Sequence, residues 1–175
     1  MQARGATTAQ SQARAALAPA LPYAMGWPRA GAYLMDTVLL IWVAVVLFFV
    51  LWASGVSPGV AAIAAWAGTE GGIRGLVYAP LLMRRPGAHN GQTLGKQLTG
   101  IRVVREDGRP MTYGAAVMRE WVARTLLIEI LGAAVSAGIV VLLDYVQPLW
   151  DERRRALHDM LAATLVLAAQ SRRQL

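Results

Sequence analysis

The sequence contains no cysteine. Disulfides, thiolate metal sites and cysteine nucleophiles are therefore excluded. Charge is scarce as well: 15% of residues are Asp, Glu, Lys or Arg, against about 25% in an average soluble domain. Lysine occurs once, as Lys96, and histidine twice, as His89 and His158. Two histidines without cysteine make no convincing zinc site, and no Ser/His/Asp arrangement has a recognisable context. Neither a cofactor nor an enzymatic activity is expected.

Apolar side chains take the place of the missing charge. They make up 56% of the 175 residues, and the mean hydropathy is +0.43. Disorder needs the opposite bias, and the length fits one domain. The composition points to lipid-facing surface: an all-α membrane protein of about three apolar helices with a short cytoplasmic β-hairpin. The net charge of +7 suits an anionic membrane surface. The basic segments lack the interleaved aromatics of a nucleic-acid footprint, so lipid headgroups are the expected partner.

Residues 1–28, rich in Ala, Gln and Pro, read as a disordered basic tail. They make a poor signal peptide, because no long apolar stretch precedes the Ala18-Pro19-Ala20 site. No charge occurs from Thr37 to Thr69. Ser54-Gly55 and Ser57-Pro58-Gly59 break this run into spans of about 32–53 and 60–83, each long enough to cross about 30 Å of hydrocarbon. Trp27, Trp52 and Tyr78 fall near the span ends, where amphipathic rings prefer to sit. The stretch 84–111 is basic and reads as cytoplasmic, with Ile101–Val104 a short strand entering a hairpin. Thr112 is a candidate N-cap for a helix whose polar edge is Arg119, Glu120 and Arg124. A third apolar run, 125–150, has two readings. Crossing once is the commoner arrangement, but it places Arg153–Arg155 outside, against the bias of basic residues to the cytoplasm. Folding back near Gly132–Gly138 keeps both ends cytoplasmic and lets 163–168 pair with the strand at 101–104. Residues 170–175 read as a basic C-terminal tail. Orientation follows from the uncharged turn after the first span: a multi-pass cell-membrane protein with its N-terminus in the cytoplasm.

An ionisable group at bilayer depth costs about 2.5–3.5 kcal/mol on insertion scales, so it needs a partner or a function. Asp36, Glu70, Arg74, Glu129 and Asp144 fall at such positions. Arg29 and Asp36 are two helical turns apart and share a face with Tyr33. They make either an ion or ligand site, or an interfacial Arg plus an Asp bound by an Arg of another helix. Glu70 and Arg74 are spaced for an intrahelical pair. Gly68, Gly71, Gly72 and Gly75 around them allow close helix packing or a helix break. Glu129 and Asp144 flank the third run and approach each other only if it folds back. His158-Asp159 reads as the solvated start of a helix, with a proton relay as the other use. Gly91–Lys96 is one residue short of a phosphate loop and has Gln97 where Ser or Thr is needed, so nucleotide binding is set aside.

Three stretches taken together resemble a known family. The segments 27–36 (WPRAGAYLMD), 91–104 (GQTLGKQLTGIRVV) and 153–162 (RRRALHDMLA) look like the opening, central and closing signatures of the RDD family of bacterial membrane proteins, named for one Arg and two Asp. The resemblance makes Arg29, Asp36 and Asp159 the name-giving residues. The closing signature usually continues L-A-G-T, and Ala163 stands here in place of that Gly. Asn90-Gly91-Gln92 and Leu149-Trp150-Asp151 resemble actinobacterial members. The family implies a membrane fold, and transport of unidentified ligands or ion–proton exchange has been suggested for it. Two functions are therefore expected to compete. One is a small homo-oligomeric transporter or exchanger. The other is a scaffold or accessory subunit that binds a partner or anionic lipid through its Arg-rich segments.

Overall fold

The computed structural model describes residues 22–24 and 26–169, so the terminal segments 1–21 and 170–175, expected to be tails, lie outside the described residues. Helix α1, Gly26–Ala53, has Pro28 in its first turn, where the missing N–H costs nothing. Its 28 residues cover about 42 Å at about 1.5 Å per residue. By length and composition it is a helix able to cross a membrane. Its start at Gly26, together with a β-bridge from Tyr23 to Leu167, places ordered structure inside the segment 1–28 expected to be a tail.

The Gly55 turn leads to Pro58, which opens α2. This helix runs through 58–83 as Pro58–Ala67, Gly68–Tyr78 and Ala79–Met83. Its middle section closes the wider i→i+5 hydrogen bonds of a π-helix, and it is there that Gly68, Gly71, Gly72 and Gly75 fall. Two of the four serve packing. A Cβ on Gly71 would meet Thr125 at 3.5 Å, and one on Gly75 would meet Trp121 at 3.0 Å, whereas Gly68 and Gly72 have nothing within 4 Å.

Thr93 caps the short α3, Leu94–Leu98, by accepting from the Lys96 N–H. Strand β1, Ile101–Arg105, follows. It does not enter a local hairpin. Asp107 closes the following turn by accepting from the Arg105 guanidinium and the Arg109 N–H, and the chain leaves for helix α4. The partner of β1 is β2, Thr164–Ala168, paired antiparallel with Val103 opposite Val166. These two valines, with Met83 and Met111, form the small apolar core under the sheet.

Helix α4 covers 113–136 as Tyr113–Val117, Met118–Gly132 and Ala133–Ser136, again with π-type hydrogen bonding in the middle. Thr112 caps it by accepting from the Ala115 N–H at 3.2 Å. The third apolar run then folds back instead of crossing once. Ala137 and Gly138 both take left-handed backbone angles and turn the chain into α5, Ile139–Val146. A Cβ on Gly132 would lie 2.8 Å from Val140, so the arms of this hairpin are in close contact. A turn at Gln147–Leu149 leads to α6, Leu157–Leu161, and then to β2.

The outward faces of α1, α2 and the α4–α5 hairpin are apolar: Trp42, Ile63 and Val135 are 71%, 72% and 83% exposed. Large apolar groups so exposed are expected on a lipid-facing surface. Ala163, the residue where the closing signature usually has Gly, sits at a φ of +47°. That conformation strains any residue with a Cβ by about 1–2 kcal/mol. Ala163→Gly should therefore stabilise the protein by about 0.5–1 kcal/mol after the entropy cost of Gly, read as a higher melting temperature in detergent. A lower one would mean that the Ala163 methyl packs favourably.

Candidate functional site

The polar side chains of α1 turn inward, and each finds partners far away in sequence. Arg29 donates from Nη1 to Asp159 Oδ2 at 2.5 Å and from Nη2 to the Arg154 carbonyl at 2.5 Å. Asp159, fully buried on α6, is shared. Its Oδ1 accepts from Arg119 Nη2 at 2.5 Å and Nε at 3.1 Å, and its Oδ2 also accepts from the Ala156 N–H at 3.1 Å. Burial alone would raise the Asp159 pKa, but the guanidiniums, Arg119 foremost, hold it below the usual carboxylate range. His158 and Asp159 are thus buried, and the solvated helix start expected for them is not found.

Two turns further along α1, Asp36 meets different chemistry. Oδ1 accepts from the Tyr78 hydroxyl at 2.6 Å and the Gly95 N–H at 2.7 Å, and Oδ2 from the Thr93 hydroxyl at 2.6 Å. The Arg of another helix expected for it is absent: among the described residues no basic nitrogen lies within 4.0 Å of this carboxylate. Tyr78 is accordingly a partner of Asp36, not an interfacial ring. Gly91–Lys96, the segment that looks like a phosphate loop, serves to deliver Thr93 and Gly95 to Asp36.

Between these levels lies Tyr33. Both the Arg74 and Arg124 guanidiniums stand over its ring, 4.0 and 4.4 Å from the centroid, a cation–π arrangement. Arg74 pairs with Glu70 on its own helix and donates to Thr37 at 2.8 Å. Arg124 donates to Glu129 at 3.1 Å and to the Tyr145 hydroxyl at 3.2 Å. Glu129 and Asp144 come to neighbouring arms of the hairpin but take separate partners, because Asp144 binds His158 at 2.8 Å. Glu120 is buried among Arg119, Lys96 and Arg124. Burial pushes the Lys96 ammonium below the usual lysine value, and Glu120 offsets part of this. Arg119 and Glu120 are therefore no solvent-facing helix edge. They sit near the centre of the network. The sequence signal that could have marked them is an adjacent ion pair inside a helix that is otherwise apolar.

These groups surround one cavity of about 380 Å³, with Arg29, Tyr33, Asp36, Lys96, Arg124 and His158 among its lining. Five basic side chains, Arg29, Arg74, Lys96, Arg119 and Arg124, face six carboxylates, Asp36, Glu70, Glu120, Glu129, Asp144 and Asp159. Arg154 does not enter the count, because it pairs with none of these carboxylates and donates instead to the Pro148 and Leu149 carbonyls. The network is one positive charge short. The carboxylates left without a permanent cation are Asp36 and Asp144.

Fold and site together define a helical domain with an apolar exterior wrapped around a buried, nearly balanced charge network. The model of the RDD family matches residues 23–163, most of the chain. The chain belongs to the RDD family, which is membrane-associated. No curated protein and no solved structure matches it.

Proposed function

We propose that the protein is a multi-pass membrane exchanger, without enzymatic activity, in which Asp36 carries a proton or a monovalent cation. The observation that supports this reading is the missing charge. A buried carboxylate held only by two hydroxyls and one N–H is an anion that a proton or a small cation can neutralise. It lines the cavity, so the neutralising ion has a route to it. In this reading α1 and α2 cross the bilayer, the α4–α5 hairpin is re-entrant, and the sheet and Arg-rich segments lie in the cytoplasm. The exposed Arg109 and Arg153 face anionic lipid heads there. Two crossings and a hairpin are few for a complete pathway, so copies assemble around it.

Purified protein in proteoliposomes should show cation-driven proton flux. Asp36→Asn keeps the size and most of the hydrogen bonding of the side chain but removes the negative charge. Flux should then fall to the level of protein-free vesicles. Wild-type flux in this variant would remove Asp36 from the mechanism. Absence of flux from the wild-type protein would favour the scaffold reading, in which the same Arg-rich face binds lipid or a partner.

A further inference from the structure

The second carboxylate without a permanent cation is Asp144, and its partner can carry a proton. His158 Nδ1 lies 2.9 and 2.8 Å from the two Asp144 oxygens, and the His158 N–H donates to the same carboxylate at 2.9 Å. Nε2 lies 3.1 Å from Arg119 Nη2 and 3.5 Å from Asp159 Oδ1. A guanidinium can only donate. Against Arg119, Nε2 is a bare acceptor with the single ring proton on Nδ1 facing Asp144, and the ring is neutral; against Asp159 Oδ1, a protonated Nε2 donates and the ring is charged.

We propose that His158 is a second proton-binding site on the cavity wall, distinct from Asp36 and linked to α1 through Asp159; its place in a transport cycle rests on the exchange reading. The proton enters from cavity water and bonds to the Nε2 lone pair. Two donors then face each other, so Arg119 Nη2 gives up its contact with the ring. The new Nε2–H turns to Asp159 Oδ1. Asp159 now divides its charge between His158 and Arg119, while its other oxygen still holds Arg29. Proton uptake on α6 thus alters the anchor of the helix that carries Asp36. The ring contacts Asp144 of α5, Arg119 of α4 and Asp159 on its own helix, and it shares the cavity lining with Arg29, Tyr33 and Asp36 of α1, Arg74 of α2, Lys96 of α3, Glu120 and Arg124 of α4 and Tyr145 of α5.

The test is ¹⁵N NMR on histidine-labelled full-length protein in nanodiscs. His89→Gln, in an exposed turn, leaves His158 as the one histidine of the chain. At about pH 8 the ring should show a protonated Nδ1 and a bare Nε2, and acidification to about pH 5 should move Nε2 to the shift of a protonated nitrogen. Asp144→Asn should displace that titration to lower pH, because the carboxylate favours the charged ring. A bare Nε2 at about pH 5, or the opposite tautomer at about pH 8, would overturn the proposal. The two readings separate cleanly. Titration of Nε2 without flux keeps the proton site and removes exchange. Flux that needs Asp36 beside a His158 that never titrates keeps exchange and removes this site.

Discussion

Asp159→Asn is expected to destabilise the protein by about 3–5 kcal/mol, the usual cost of breaking a buried ion pair by removing one partner. Arg29 loses its one carboxylate and Arg119 one of two, Glu120 being the other. Both are largely buried, with side chains 15% and 4% exposed, so water does not replace the lost charge. Arg29→Lys should be milder but still harmful, because one ammonium cannot reach both Asp159 and the Arg154 carbonyl in the planar geometry of a guanidinium. Thermal unfolding in detergent measures both. A change below about 0.5 kcal/mol in Asp159→Asn, the range of ordinary surface substitutions, would show that the pair is dispensable. The pH dependence has a definite sign. The folded pKa of Asp159 is depressed. Its contribution is therefore present above the unfolded value of about 3.9 and is lost as pH falls below it, through the folded value. Wild-type stability should drop in acid below about pH 4, and the drop should be shallower in the Asn variant.

Much of the fold was legible because lipid imposes simple rules. The uncharged stretch after Asp36 gave α1, the Ser-Pro-Gly turn gave the start of α2, and Thr112 gave the start of α4. The third apolar run was ambiguous for a physical reason. Composition records that a segment is apolar, not which way it runs. Its direction is settled by Asp144 reaching His158, by Gly132 packing on Val140 and by β2 pairing with β1, all of them contacts outside the run itself. The strand at 101–105 was readable, and its partner about sixty positions on followed only from the fold-back reading of the third run, since no local hairpin rule reaches so far.

The site was half legible. Helical spacing placed Arg29 and Asp36 on one face, and both line the same cavity, but their direct contacts diverge. Arg29 reaches Asp159, 130 positions away, while Asp36 reaches Thr93 and Gly95. The Glu70–Arg74 pair was readable because both members lie on one helix. Lys96, Arg119, Glu120 and His158 were assigned to surface or passed over, because only tertiary packing encloses them. A lone lysine in a chain of sixteen arginines was the one local hint that Lys96 differs.

Gly95→Ala should do nearly as much harm as a charge substitution, although it changes no charge. A Cβ there would stand 2.1 Å from the Ala32 carbonyl oxygen and 2.9 Å from Asp36 Oδ1. Both obstacles belong to α1, and the nearer one is backbone, which no rotamer change can clear. Helix α3 must therefore move off α1. Overpacking of this kind costs about 1–3 kcal/mol. The movement also withdraws the Gly95 N–H and the Thr93 hydroxyl from Asp36, and an unsatisfied buried acceptor costs about 1–3 kcal/mol more, with partial overlap between the two. Gly72→Ala is the control, since it has nothing within 4 Å. There the helix should gain up to about 1 kcal/mol from the better helix former. Melting temperatures should move in opposite directions in the two variants, and proton flux should fall only in Gly95→Ala. Equal flux in both would mean that Asp36 works without its neutral donors. A loss confined to Gly95→Ala would mean that carrying the ion depends on how closely backbone can approach the carboxylate as well as on its charge.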